Sequence, residues 1–246
     1  MRGLLQLTWI ELKIFMREPL GALGTVAVPA LAYIGATMAG NGIAPDRFGT
    51  SDFARTGLPV MAAALMLISA VLSLMTIVAV YREGGILRRL RATPLRPHTI
   101  VLAHVLVKVV LTAATIALLA VLGRRVAAPP PGASLVSFAA GLLVSTAAVL
   151  SLGFLLASVV PTARFAQPLG ALVLYPLLGI SGLFFPVEAL PPALQALAQL
   201  SPLTHAVSLL QGLWLGHAWI DHVRDLAGLV LTAGACAVLA TRLFRW

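Results

Sequence analysis

From Val126 to Ala163 the chain carries no charged side chain, although soluble domains place charges on about a quarter of their residues. A run of this kind is what a bilayer selects, since one crossing needs about 20 predominantly apolar residues. The rest of the chain shares the bias: of 246 residues, 60% are hydrophobic and only 10% charged. That length accommodates six spans with short loops, and leaves no room for a soluble catalytic domain beside them. Cys236 is the single cysteine and lies within an apolar run, which excludes an internal disulfide framework. A secretory signal is not expected, because Glu11, Lys13, Arg17 and Glu18 interrupt the stretch that would have to be its apolar region.

Charges bracket the apolar runs and predict an all-α integral membrane fold with six transmembrane helices. The spans fall at about 20–40, 57–80, 99–122, 134–160, 166–184 and 226–243. Pro168 and Pro176 are expected to interrupt the fifth. An even number of spans puts both termini on one side. With the N-terminus in the cytoplasm, eleven of the 17 Lys and Arg residues lie inside and five outside, with Lys108 in the third span. This is the positive-inside pattern of a bacterial cytoplasmic membrane protein, and it accounts for most of the net charge of +9 without nucleic acid. Arg124 and Arg125 are the awkward pair, since they fall outside.

Three segments are neither spans nor ordinary loops. Projected as a helix, residues 1–18 gather Arg2, Gln6, Lys13 and Arg17 on one side and set Glu11 and Glu18 opposite, which fits an interfacial helix. After the second span, Gly84 and Gly85 break the helix. There Ile86, Leu87 and Leu90 alternate with Arg88, Arg89 and Arg91 until Pro94 closes a short amphipathic helix. Its arginines suit anionic lipid and topology, and its two faces equally suit a soluble partner. Between about 184 and 225 the chain is too apolar for a solvated loop, yet it is broken into pieces of re-entrant length. Pro191 and Pro192 open one piece; Pro202 and Thr204 open the other. Such half-helices either roof the outer end of a passage or form a cap that packs the bundle.

These features resemble the membrane subunit of an ABC-2 type exporter. The similarity is carried by the six spans, the N-terminal amphipathic helix, REGGILRRLRATPLRP after span 2, and SGLFFPVEALPPALQALAQLSPLTHAVSLLQGLWLG between spans 5 and 6. The wording is most similar to the drug-efflux and nodulation-type branch. The resemblance implies a single transmembrane domain over 1–246, with an interfacial helix at 1–18. It also implies a cytoplasmic coupling helix at 82–96 and an extracellular re-entrant region at 185–225. It assigns docking on a cytosolic ABC ATPase dimer to Glu83, Gly84, Leu87, Arg88, Arg89, Arg91, Thr93 and Pro94. A second permease copy or paralogue would complete the pathway. ATP and Mg belong to the partner, and no cofactor is expected on this chain. The residues agree with a separate motor, since Lys13 follows Leu12 and Lys108 follows Val107, so neither lysine completes a phosphate-binding loop. The expected cargo is an amphipathic drug-like or lipid-type compound, with polysaccharide or lipid-linked glycan export as the alternative on the same fold.

Polar residues inside spans mark either a pathway or close helix packing. The candidates are Tyr33 and Thr37 in span 1, Ser69, Ser73 and Thr76 in span 2, and Tyr175 and Ser181 in span 5. Phe185 and Glu188 are candidates for an outer gate, with plain surface exposure as the simpler account of Glu188. His104 and Lys108 lie one turn apart in span 3 and are expected to snorkel, because no span offers a carboxylate to pair with them. A rival from another class is a rhomboid-type protease, suggested by Gly179-Ile180-Ser181-Gly182. A serine nucleophile requires an imidazole base, and span 6 contains no histidine. The histidines and the cysteine form no metal-ligand spacing.

Overall fold

The computed structural model describes residues 8–9, 12–13, 58–85, 106–107, 110–111, 114, 132, 134–160, 162–183 and 186–243. Among the described residues the protein is helical throughout, with no strand. Six α-helices succeed one another: α1 (Leu58–Glu83), α2 (Leu135–Val159), α3 (Ala163–Gly179), α4 (Pro192–Leu200), α5 (Pro202–Trp214) and α6 (Val223–Leu243). Single 3-10 turns at Val187–Ala189 and Trp219–His222 lead into α4 and α6. Two apolar stretches, Val136–Val159 and Trp219–Ala240, are long enough to cross a membrane.

The central element is α2. It packs against α1, α5 and α6, and α1 packs in turn on α3. Because lipid is as apolar as leucine, helices in a membrane associate through close fit more than through removal from water, and small residues permit that fit. Gly153 of α2 lies against Val71 of α1, and Gly170 of α3 lies against Leu72 and Met75. A side chain at either glycine would meet these neighbours at or below contact distance. The shared core contains Leu67, Val71, Leu74 and Met75 from α1, Phe138 and Val149 from α2, and Leu203, Leu209 and Leu210 from α5.

Local sequence explains the boundaries. Ser134 caps α2 by accepting a hydrogen bond from the Ser137 amide at 3.3 Å. Pro192 and Pro202 each occupy the first position of their helix, where a missing N–H costs nothing. Ser201 separates the two: its extended backbone ends α4, and its hydroxyl accepts from the Leu203 amide to begin α5.

Span 5 departs from expectation. Both Pro168 and Pro176 lie inside a continuous α3, so neither proline interrupts it. Each proline frees one carbonyl of the preceding turn, and helices in a membrane tolerate that when neighbouring groups satisfy it. The helix also ends earlier than the hydropathy suggests, at Gly179 rather than near 184. A turn follows in which the Ser181 amide bonds the Leu178 carbonyl, and Gly182 takes a φ of +85°.

Candidate functional site

The end of α1 is tied by charge to the connection between α2 and α3. Helix ends leave carbonyls and amides without partners inside their own helix, and they carry partial charge of opposite sign. Arg82 addresses the carbonyl end of α2: Nη1 donates to the Val160 carbonyl at 2.7 Å and Nη2 to the Ala157 carbonyl at 3.0 Å. Its neighbour Glu83 addresses the amide end of α3, where the Ala163 N–H donates to Oε1 at 2.8 Å. Thr162, at the N-cap of α3, makes no side-chain capping bond of its own, so a carboxylate from another helix supplies the cap. Two adjacent residues of opposite charge thus hold the ends of two helices that lie about 80 positions further along the chain. The guanidinium fork is what allows one side chain to engage two carbonyls at once.

Immediately beyond this clasp the chain leaves the helix. Gly84 closes the last turn onto the Val80 carbonyl, and Gly85 adopts the left-handed φ of +64° that ends a helix without strain. The arginine-rich segment that begins at Ile86 is therefore joined to α1 through two glycines and to α2 and α3 through Arg82 and Glu83.

At the opposite end of α2 sits the α4–α5 pair. The contacts run antiparallel: Gly216 lies against Gly132, Trp214 against Phe138, and Leu210 and Leu213 against Gly141. Trp214 and Phe138 meet edge to face with ring centroids 5.2 Å apart, the favoured geometry for an aromatic pair. Gly141 lets Leu213 approach the α2 backbone more closely than any side chain would allow. From Phe138 to Val160 the helix rise of 1.5 Å per residue amounts to about 33 Å. The clasp and the C-terminal end of α5 consequently lie at the two ends of one bilayer-length strut.

Of the residues singled out from sequence, Glu83 and Gly84 belong to the clasp and its turn, whereas Leu87, Arg88, Arg89, Arg91, Thr93 and Pro94 lie outside the described residues. So do Tyr33, Thr37, Phe185, His104 and Lys108. Ser69, Ser73 and Thr76 are positions of α1, and the Thr76 hydroxyl donates to its own helix at the Leu72 carbonyl, 2.9 Å away. Tyr175 is exposed on α3. Ser181 lies past the end of α3, fully buried in the turn, with its hydroxyl donating to the Leu178 carbonyl at 2.6 Å. That bond gives its proton to a carbonyl rather than to an imidazole base, so the geometry of a serine nucleophile is not what this turn provides. Glu188 is exposed on its 3-10 turn, and its backbone carbonyl accepts from Gln195 Nε2 at 3.1 Å. Arg82 was legible only as a cytoplasmic arginine opening the 82–96 segment. The signal that could have singled it out is the adjacency of two opposite charges at a helix end, directly before a glycine pair.

Two of the described helices are long and apolar enough to cross a membrane, and one end of the bundle is cross-tied beside an arginine-rich segment. The chain belongs to the ABC-2 type transporter family, whose model matches residues 2–215. Membership makes it a membrane protein of the ABC-2 permease type. Over 98 residues it is 32% identical to nodulation protein J of Rhizobium leguminosarum bv. trifolii, covering 40% of this chain and 37% of that relative. Over 84 residues it is 37% identical to nodulation protein J of Neorhizobium galegae, covering 34% and 32%. The matched stretches thus span about a third of each curated relative's length.

Proposed function

We propose that this chain moves an amphipathic drug-like or lipid-type compound out of the bacterial cytoplasm, using ATP hydrolysed with Mg on a separate pair of ATPase subunits. Two permease chains, identical or paralogous, enclose the pathway. Both termini face the cytoplasm, residues 1–18 lie in the interface, and the 82–96 segment docks on the ATPase, its coupling helix beginning only after the Gly84–Gly85 turn because Arg82 and Glu83 belong to α1. The α4–α5 pair lies at the outer end and re-enters the membrane. Thirteen residues of α5 rise about 20 Å, a depth that suits a roof over the exit rather than a span.

The Arg82–Glu83 clasp is the observation that carries this reading. A force applied to the segment after Gly85 reaches α1 through the chain, and α2 and α3 through charge-assisted hydrogen bonds, which are roughly twice as strong as neutral ones. Three helices then move together while the far end of α2 carries the displacement to the helix pair.

Co-purification in mild detergent with the neighbouring-gene ATPase, followed by vanadate-sensitive ATPase assays, tests the proposal. We expect a stable complex whose activity responds to hydrophobic drugs. Reversing Arg88 and Arg89 to glutamate should uncouple hydrolysis from transport while leaving membrane insertion intact. Unchanged transport in that double variant would refute the coupling assignment, and stimulation by lipid-linked glycans alone would move the cargo to the alternative class.

A further inference from the structure

Beside the glycine contacts, the α4–α5 pair is held to α6 by a half-buried polar centre made of His205 and Ser208 from α5, His222 from the 3-10 turn, and Asp225 from the first turn of α6. Asp225 accepts three hydrogen bonds: from His205 Nδ1 to Oδ1 at 3.1 Å, and from His222 Nδ1 and the Ser208 hydroxyl to Oδ2 at 3.0 and 2.8 Å. The two imidazoles are seated reciprocally. His205 of α5 lies on Gly228 of α6, and His222, before α6, lies on Gly212 of α5; a methyl group at either glycine would collide with the ring.

The rings differ in what their second nitrogen faces. His222 Nε2 is buried without a partner among the described residues, so this ring meets an acceptor only through Nδ1. His205 Nε2 lies 3.0 Å from the Gln199 carbonyl, so both of its nitrogens face acceptors, one a carboxylate and one a carbonyl. A neutral imidazole donates from one nitrogen only; the imidazolium alone donates from both. We propose that His205 is a proton-dependent bolt: in its charged form it ties the end of α4, through Gln199, to the start of α6, through Asp225, and loss of its proton frees the helix pair at the outer end of the transporter. His205 is thus a positioning residue for the exit, and the proton is the ligand of this site.

Electrostatics around the ring agree. The hydrogen bond to Asp225 raises the affinity of His205 for its proton above the usual histidine range, although burial and Arg224 oppose it. Among the described residues its other ionisable neighbours are His222 and Asp225, while α2, packed behind, offers no ionisable side chain. Since the folded-state value is raised, the contribution is complete below the ordinary histidine range and disappears as pH climbs through the raised value.

Only the placement of the pair at the outer end is taken from the functional reading, and hydrogen exchange tests the bolt without ATPase or substrate. The full chain in nanodiscs is labelled between pH 6 and 9, rates are corrected for intrinsic exchange, and protection over 192–214 is compared with that over 142–158. In the unaltered protein protection of 192–214 should fall roughly tenfold or more towards pH 9, the scale set by losing a hydrogen bond between charged groups. His205→Gln should be low at every pH, and His205→Lys, a permanent cation, should stay protected across the range. A flat profile in the unaltered protein overturns the bolt, as does the same fall persisting in His205→Lys. A pH-dependent pair in a chain that shows no ATPase-linked export would leave the bolt standing and remove the exporter reading.

Discussion

The two ends of α2 are fastened by different chemistry. At the Val160 end the fastening is made of charged side chains set against helix termini, Arg82 on carbonyls and Glu83 on an amide. At the other end the fastening is a fit of aromatic rings and leucines over glycines, with one carboxylate shared by two imidazoles. On the proposed reading the clasp couples the arginine-rich segment to the bundle, and the joint built on imidazole is the part that can be released.

The largest effect is expected from breaking the clasp. Arg82→Ala leaves the Ala157 and Val160 carbonyls without their donor, and two charge-assisted bonds at a partly buried site contribute about 3 kcal/mol or more. The thermal midpoint of the purified transporter should drop by several degrees, and ATP hydrolysis should continue without transport. Arg82→Lys replaces the fork by a point charge and should recover about half of the loss. If Arg82→Ala transports at the normal rate, the clasp is a helix cap and nothing more.

Next in size is a change confined to the other end. Gly228→Ala drives a methyl group into His205, and overpacking of this kind costs roughly 1–3 kcal/mol. It should loosen 192–214 in hydrogen exchange while drug-independent ATPase activity stays as it was. Equal loss of ATPase activity would show that the two ends do not act separately. Glu83→Gln should be milder than either, about 0.5–1 kcal/mol, because the amide still finds an oxygen and only the charge at the start of α3 is lost.

Much of this arrangement was legible in the residues. The limits of α4 and α5 follow from Pro192, Ser201 and Pro202, since each is local chemistry that acts within a single turn. The break after Glu83 follows from Gly84 and Gly85 in the same way. What stayed hidden depends on partners far along the chain. Nothing near Arg82 announces that its acceptors are Ala157 and Val160, and His205 and Asp225 are separated by 20 positions and by a turn. The prolines of α3 misled for another reason: a rule derived for helices in water overstates their disruption here, since α3 runs on through both. Ser181 misled because hydropathy does not register where a buried helix gives way to a buried turn.

The smallest expected effect is the sharpest test of the comparison. Arg82 binds the Val160 end of α2 and Asp225 binds groups of α5 and the 3-10 turn, so the two have none of these hydrogen bonds in common. Substitutions at such separate sites normally add to within about 0.3–0.5 kcal/mol. In the resting transporter, the destabilisation by Arg82→Ala combined with Asp225→Asn should therefore equal the sum of the two single variants within that margin. Under turnover, with nucleotide cycling on the partner, the same pair should depart from additivity, because the clasp then loads the joint through α2. Additivity in both states would mean that α2 holds two independent fastenings and carries nothing between them. A departure already present at rest would mean that the strut is strained before any ATP is hydrolysed.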